Sequence, residues 1–445
     1  MFSRFRQALP RPLSHSTIAY AYARAAVSRH RLPPGDLARL DVEEKTDRAF
    51  ILHQAERLGP IFKAIGWGEF YICVVGLALG RRLLRDHGDD LRPMTLDLTS
   101  LFPKGFLRQM QGDDHRHYRR ALNRAIKPGD LEAGTRELEQ IALCALADYA
   151  AGEGAPREAA EAYLATLSTI TTAMTIQLFF GAAPGTAAYD RLLAGYRKLG
   201  PHGLVWNVTP QQQRAFVEIR DFLQERFAGD PARLDPAARQ SVLGRMVEDG
   251  MPDATMIGNL IYMVETGRYD THALLRWLTK HAVDNPAMLA RMAAEADAAP
   301  APGVTFTEAF VLETLRMNQS ERLMRRAQRD FVFDGFLIPK RATVRVCLWE
   351  SHKSPDAFPQ PFEFNPDRFL TAPPSSDAFA PFGLDQHKCP FSDMSVRMSV
   401  LFLRALARSY TVAAVADGRP IRGAYHWEPA THFGVRLQRR TSSPA

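Results

Sequence analysis

The stretch from Asp253 to Asn285 constrains this chain most. It runs 33 residues without a proline, between Pro252 and Pro286. Asp253 is a suitable N-cap, because its carboxylate can accept from the free N–H groups of a first turn. Pro286 cannot continue a helix whose residue 282 carbonyl needs a partner. At 1.5 Å per residue such a helix is about 50 Å long. Apolar residues lie on several of its faces, so the spacing predicts a central helix buried along much of its length.

Other elements gather around that rod. Pro60–Ile65 and Glu69–Val75 read as a hairpin around Gly66-Trp67-Gly68. Asp114–Ile126 reads as a strongly basic helix, and Phe306–Asn318 as a further helix. Asp330–Ile338 and Thr343–Leu348 read as β pairs, Ser354–Gly383 as a Pro/Phe-rich loop, and Pro390–Tyr410 as a helix with Pro390 at its first position. The uncharged run Ala162–Tyr189 is long enough to span a bilayer. Its threonines, with Gly181 and Pro184, fit a buried helix better, so no membrane span is expected. Proline clusters are too short to be tethers. The expected organisation is a basic leader over residues 1–35 and one large domain over 36–445, mainly α with small β-sheets.

Charge and cysteine count remove several functions. Six arginines (Arg4, Arg6, Arg11, Arg24, Arg29, Arg31) precede the first acid, Asp36, leaving 50 basic against 49 acidic residues and accounting for most of the net +7. A general affinity for nucleic acid is therefore not expected. The leader reads either as a transit segment or as a basic extension packed on the domain, the second being preferred. Four cysteines, none in a CxxC pair, exclude a disulfide scaffold and point to a reducing compartment, so a cytoplasmic location is expected.

Cys389 stands at the end of the loop Phe382-Gly383-Leu384-Asp385-Gln386-His387-Lys388, directly before the Pro390–Tyr410 segment. A helix start favours a thiolate, which serves as nucleophile or metal ligand; a lone cysteine is otherwise commonly inert. The surrounding motifs decide between these. Phe382-Gly383, His387 and Cys389, then Glu313-Thr314-Leu315-Arg316, Phe364-Asn365-Pro366-Asp367-Arg368-Phe369, Ile338-Pro339-Lys340 with His352–Phe358, and His115-Arg116-His117-Tyr118-Arg119 occur in an order and spacing that resembles the cytochrome P450 (heme-thiolate) family. The resemblance covers about residues 50 to 437 and is closest to the soluble, bacterial-like form.

That resemblance implies the P450 fold, with the central helix over a buried heme b, iron protoporphyrin IX. It implies Cys389 as axial thiolate, pushing electron density onto iron. It places His115, Arg119, Arg325 and His387 at the heme-propionate positions, and Glu313, Arg316 and Arg368 in a buried network supporting the cysteine loop. The implied activity is monooxygenation of a small, largely apolar substrate from dioxygen. With no reductase domain in the chain, electrons are expected from a ferredoxin- or flavodoxin-type donor. Arg116, Arg119, Arg120, Arg124 and Lys127, with Lys388 and Arg397, would offer it a basic face.

The sequence departs from the family at two places. Asp385 and Phe391 replace glycines of the cysteine loop, and Phe391 is expected to crowd the helix start. In the central helix Thr266-Gly267-Arg268-Tyr269-Asp270-Thr271 replaces the usual acid–alcohol motif. Counting back from Pro286 puts Tyr269 at the acid and Asp270 at the alcohol position; a shift of one residue makes Asp270 and Thr271 the pair. Either register makes Asp270 a candidate proton donor, with a carboxyl that burial would raise. Helix spacing puts Met263, Thr266 and Tyr269 along the substrate side. Two other functions remain open: a peroxide-driven or reductase-independent heme enzyme such as a dehydratase or isomerase, and a heme-binding sensor or pseudo-enzyme.

Overall fold

The central helix forms as its ends predict. In a computed structural model, which describes residues 15–440 except 95–97, 99, 103–104, 127–133, 153–155, 201–207, 251–252, 299–301, 320–321, 372–373 and 424–425, it runs Ala254–Asp284. The Asp253 side chain caps it by accepting from Met256 N at 2.9 Å. Pro286 opens the following helix, Pro286–Asp297, where its missing N–H costs nothing.

Burial along the helix is uneven, and that places the site. Met256, Leu260, Ile261 and Val264 belong to one hydrophobic cluster, and Leu274, Leu275 and Leu278 to another. Between them Thr266 to Asp270 are half-buried or exposed. The rod is thus gripped at both ends and left open over little more than one turn.

A five-stranded sheet stands to one side, in the order Ile61–Gly66, Glu69–Val75, Thr343–Cys347, Arg322–Ala327, Leu91–Pro93. Glu69–Val75 runs parallel to Thr343–Cys347, and the other pairs are antiparallel. The hairpin of the first two strands turns on Trp67 and Gly68, at φ 46° and 80°, the mirror-image turn that matches strand twist. The strand Arg322–Ala327 escaped the sequence reading, because three arginines break the apolar alternation that marks a strand.

Helix Phe306–Asn318 has the expected bounds. The last long helix does not: it spans Ser392–Ser409, so Pro390 is not its first residue. Phe391, at φ −103° and ψ 21°, belongs to a turn between cysteine and helix.

Helix His15–Val27 packs on the sheet, with Ala21 buried and Arg24 Nε 2.5 Å from Asp330 Oδ2. Arg4, Arg6, Arg11 and Lys127 lie outside the described residues. Among the described residues one helical stretch, Glu158–Phe180, is long and apolar enough to cross a membrane, and 61% of its apolar window is buried within the fold.

Candidate active site

The loop before Cys389 is built from its own backbone. Cys389 N donates to Phe382 O at 2.9 Å, Gly383 N to Ala380 O at 3.2 Å, and Lys388 N to Asp385 O at 2.8 Å. Gly383 sits at φ 99°, where an L-residue is strained, so glycine is required at this corner. Asp385 turns the loop by bonding instead: its Oδ1 accepts from His387 N at 2.8 Å, and its Oδ2 accepts from Arg325.

The Cys389 thiol is half-buried. Burial pushes its pKa up, and Asp270 adds to that; the Phe391 backbone N–H, Arg119 and Arg108 oppose it. The turn at Pro390-Phe391 aims an N–H at the sulfur, which offsets part of the effect of burial without a helix starting at the cysteine itself. The Phe391 ring points away from crowding the first turn and lies on Phe179, centroids 4.3 Å apart.

The four proposed propionate residues converge. His115 and Arg119 share one face of helix Gly112–Ala125. The His115 ring lies 4.4 Å from that of His387, and Arg119 Nη1 donates to Lys388 O at 2.7 Å. Arg325, on the strand Arg322–Ala327, has a buried side chain paired with Asp385. Burial pushes His387 down to about 4, with His115, Arg325 and Arg119 adding to the effect, and lowers His115 as well. Both rings are thus neutral at pH 7, and offer hydrogen bonds where the sequence reading expected cations.

Two features of the loop bear on the fit of a heme. His387 Nε2 is buried with no hydrogen-bond partner among the described residues. A cavity of about 580 Å³ beside it is lined by charges of both signs, with Arg325 and Arg329 against Asp89, Asp90 and Asp385. An orphaned ring nitrogen close to the charges of Arg325 and Arg119 suits an anionic group such as a propionate.

Behind the loop, Glu313 and Arg316 are fully buried and joined by two bonds of 2.7 Å, Arg316 Nε to Oε2 and Nη2 to Oε1. Arg368 Nε and Asn365 N add bonds to Glu313 Oε1 at 3.2 and 2.9 Å. Arg316 Nη1 also holds His352 O at 3.1 Å, and His352 Nε2 accepts from Ala380 N at 3.0 Å. The network reaches the cysteine loop through that histidine.

Across the site, the structure separates the two candidate acid–base residues. The charge of Asp270 reaches the Cys389 thiol and pushes its pKa up. Thr271 is buried; it lies one turn from Gly267, whose missing side chain would meet Thr175 of helix Pro156–Phe180 at 3.9 Å. The carboxyl of Asp270 is not buried as expected: its side chain is 64% exposed, with Oδ1 3.8 Å from His426 Nε2. Burial raises Tyr269 to about 12, aided by Glu428 and Asp270, so it stays protonated.

His426 was not legible in the sequence. It arrives on the hairpin Pro420–Arg422/Trp427–Pro429, which Arg276 clamps to the central helix through Glu428 Oε2 and Pro429 O, both at 2.6 Å. Trp277 Nε1 adds a bond of 3.0 Å to Trp427 O. Only the tertiary structure brings that hairpin over Asp270.

The basic docking face is partly neutralised. Arg116 pairs with Asp113 and Arg124 with Asp249, whereas Lys388 and Arg119 flank the cysteine.

The cytochrome P450 family model matches residues 290–423. Abscisic acid 8'-hydroxylase 1 of Oryza sativa subsp. japonica is 25% identical over 406 residues, covering 85% of this chain and 84% of that protein. Ent-kaurenoic acid oxidase 1 of Hordeum vulgare is 26% identical over 461 residues, 93% of this chain and 91% of the relative. The solved structure of a retinoic-acid-bound cyanobacterial CYP120A1 has the same fold, at a TM-score of 0.72 and 20% identity, covering 93% of this chain and all (100%) of that one. The relatives are named as a hydroxylase and an oxidase, so they are oxidoreductases, and the family they point to uses heme iron. The family model over residues 290–423 and these relatives support a cytochrome P450 family member, an enzyme of the monooxygenase type.

Proposed function

We propose that this chain binds heme b through Cys389 and inserts one oxygen atom from dioxygen into a small, largely apolar substrate. The observation that carries the proposal is a thiol held by the Phe391 N–H and within reach of the charge of Asp270, which ends the incompletely buried turn Thr266–Asp270 of the central helix. The heme, when bound, supplies dioxygen activation, which an axial thiolate assists by donating electron density.

The chain's own residues do the rest. His387 Nε2 and Arg119 hold propionate oxygens, while Arg325 divides its hydrogen bonds between propionate and Asp385. Met263 and Thr266 face the substrate, and Tyr269 stays protonated beside Asp270. Asp270 takes the alcohol position and moves a proton in from solvent, with His426 at its side. The relatives act on an abscisic acid and an ent-kaurenoic acid; an apolar body carrying an acid group is a substrate form open to this chain too. Electrons come from a separate ferredoxin- or flavodoxin-type protein docking near Lys388, in the cytoplasm, and residues 36–445 act as one domain.

A peroxide-driven reaction is the second reading, favoured by the exposed Asp270 and by the absence of a threonine hydroxyl at its position. Turnover assays with a surrogate reductase system, and separately with hydrogen peroxide, distinguish the two. Product formed only with reductant supports the first; product only with peroxide supports the second.

A further inference from the structure

Helix Leu77–His87 lies against the loop that carries Cys389. Gly80, buried on that helix, makes the approach possible: a Cβ there would stand 2.6 Å from Val346 Cγ1 and 3.2 Å from Leu384 Cδ1. The next residue, Arg81, spans the loop. Its Nε and Nη2 donate to Ser376 O at 3.3 and 2.6 Å, and its Nη1 donates to Leu384 O at 3.2 Å. One planar guanidinium thus joins both ends of the segment 376–384, a geometry that the point charge of a lysine does not reproduce.

Where these bonds fall decides what they do. The loop's own backbone bonds use the carbonyls of Ala380, Phe382 and Asp385 and leave that of Leu384 to Arg81. Two cavities, of about 580 and 460 Å³, both have Arg81 and Leu384 in their walls, so side-chain packing does little to fix the chain at this point. Other side chains hold the loop at Ala380, through His352, and at Asp385, through Arg325. Arg81 acts between them, and it lies outside every motif by which the cysteine loop was read. Its Nε is also 3.0 Å from Asp377 Oδ1, but those side chains are 30% and 58% exposed, and a pair so open contributes little.

We propose that Arg81 is a positioning residue for the heme ligand: through Leu384 O and Ser376 O it holds the loop in the register that presents the Cys389 sulfur, and so keeps the thiolate on iron. The proposal rests on the reading of Cys389 as heme ligand given above. Loss of the fork frees the Leu384–Asp385 peptide to rotate, and the chain from there to Cys389 follows it. The rest of the fold stays in place, because the Glu313–Arg316 pair is untouched.

The experiment holds the heme-loaded full chain, reduced with dithionite and bound to carbon monoxide, in urea well below its unfolding midpoint. It follows the conversion of the red-shifted Soret band of thiolate ligation to the band of a heme without thiolate, with far-ultraviolet circular dichroism recorded in parallel. Arg81→Ala is expected to convert about fivefold faster than the parent or more, with the dichroism unchanged. Arg81→Lys falls between the two, and carries the test by itself where Arg81→Ala does not fold. Asp377→Ala, which removes the ion pair and leaves both carbonyl bonds, converts at the parent rate. A parent rate in the Arg81 variants, an equal acceleration by Asp377→Ala, or a conversion that only keeps pace with loss of helix signal overturns the proposal. Failure of the underlying reading shows separately, as a parent protein that lacks the thiolate band before any urea is added.

Discussion

Arg325 holds Asp385 in an ion pair inside the cysteine loop, with the two side chains only 5% and 17% exposed. Burial pushes the Asp385 carboxyl up, but Arg325 and His387 outweigh it and hold it below its ordinary 3.8. Arg325, proposed above to serve a propionate, is thus held by the residue that stands at the glycine position.

Two substitutions at Asp385 should therefore diverge. Asp385→Asn breaks the pair and leaves Arg325 without its carboxylate, costing about 2–3 kcal/mol in urea unfolding at pH 7. Asp385→Gly also destabilises the heme-free chain, but frees Arg325 for a propionate. Its heme should transfer to apomyoglobin more slowly than that of the parent. Faster heme loss from Asp385→Gly would show that Asp385 does not compete for Arg325.

Asp270 and His426 make a second test. Asp270→Ala should cut product formed per NADH several-fold and raise hydrogen peroxide release, while the substrate-induced spectral shift persists. His426→Ala should do the same to a smaller degree, because it orients a carboxylate it does not replace. Unchanged coupling in Asp270→Ala removes the residue from proton transfer.

Glu313 and Arg316 predict a loss of fold rather than of chemistry. Both are fully buried, and either alone would be an uncompensated charge. Glu313→Gln should lower unfolding free energy by about 3–5 kcal/mol and prevent stable heme uptake. A variant with normal thermal stability but no activity would contradict that structural role.

Acid sensitivity follows from two histidines of the central helix remote from the cysteine. Burial pushes His272 and His281 each down to about 4; Arg276 adds to the first, while a hydrogen bond to Asn318 opposes it in the second. His281 Nε2 lies 2.7 Å from Asn318 Oδ1, so the neutral ring carries its proton there. The unfolded chain binds more protons between pH 6.5 and about 4, so stability falls as pH drops through that window. At about 1.4 kcal/mol per unit, each histidine accounts for up to about 3 kcal/mol. His281→Asn should flatten the pH dependence of urea midpoints between 6.5 and 4; an unchanged slope would contradict it.

What the sequence disclosed divides by range. The bounds of Ala254–Asp284 and Phe306–Asn318 were readable because capping residues and prolines act locally. The hairpin at Trp67-Gly68 was readable for the same reason. Cys389, His387, His115, Arg119 and Arg325 were found through motifs. The neutral state of both histidines was not, since burial is a property of the assembled fold. His426 carries no local signal: it reaches Asp270 through a hairpin clamped by Arg276 from far along the chain. Phe391 looked like a steric fault until Phe179 supplied the surface it packs on.

The central claim is that Cys389 is the thiolate ligand of a heme. The most direct measurement is the absorption spectrum of the dithionite-reduced, carbon-monoxide-bound protein, beside that of Cys389→Ser. The account predicts the red-shifted Soret band of thiolate ligation in the parent and its loss in the variant, with Cys73, Cys144 and Cys347 still present. A parent without that band, or a Cys389→Ser protein that keeps it, would contradict the account.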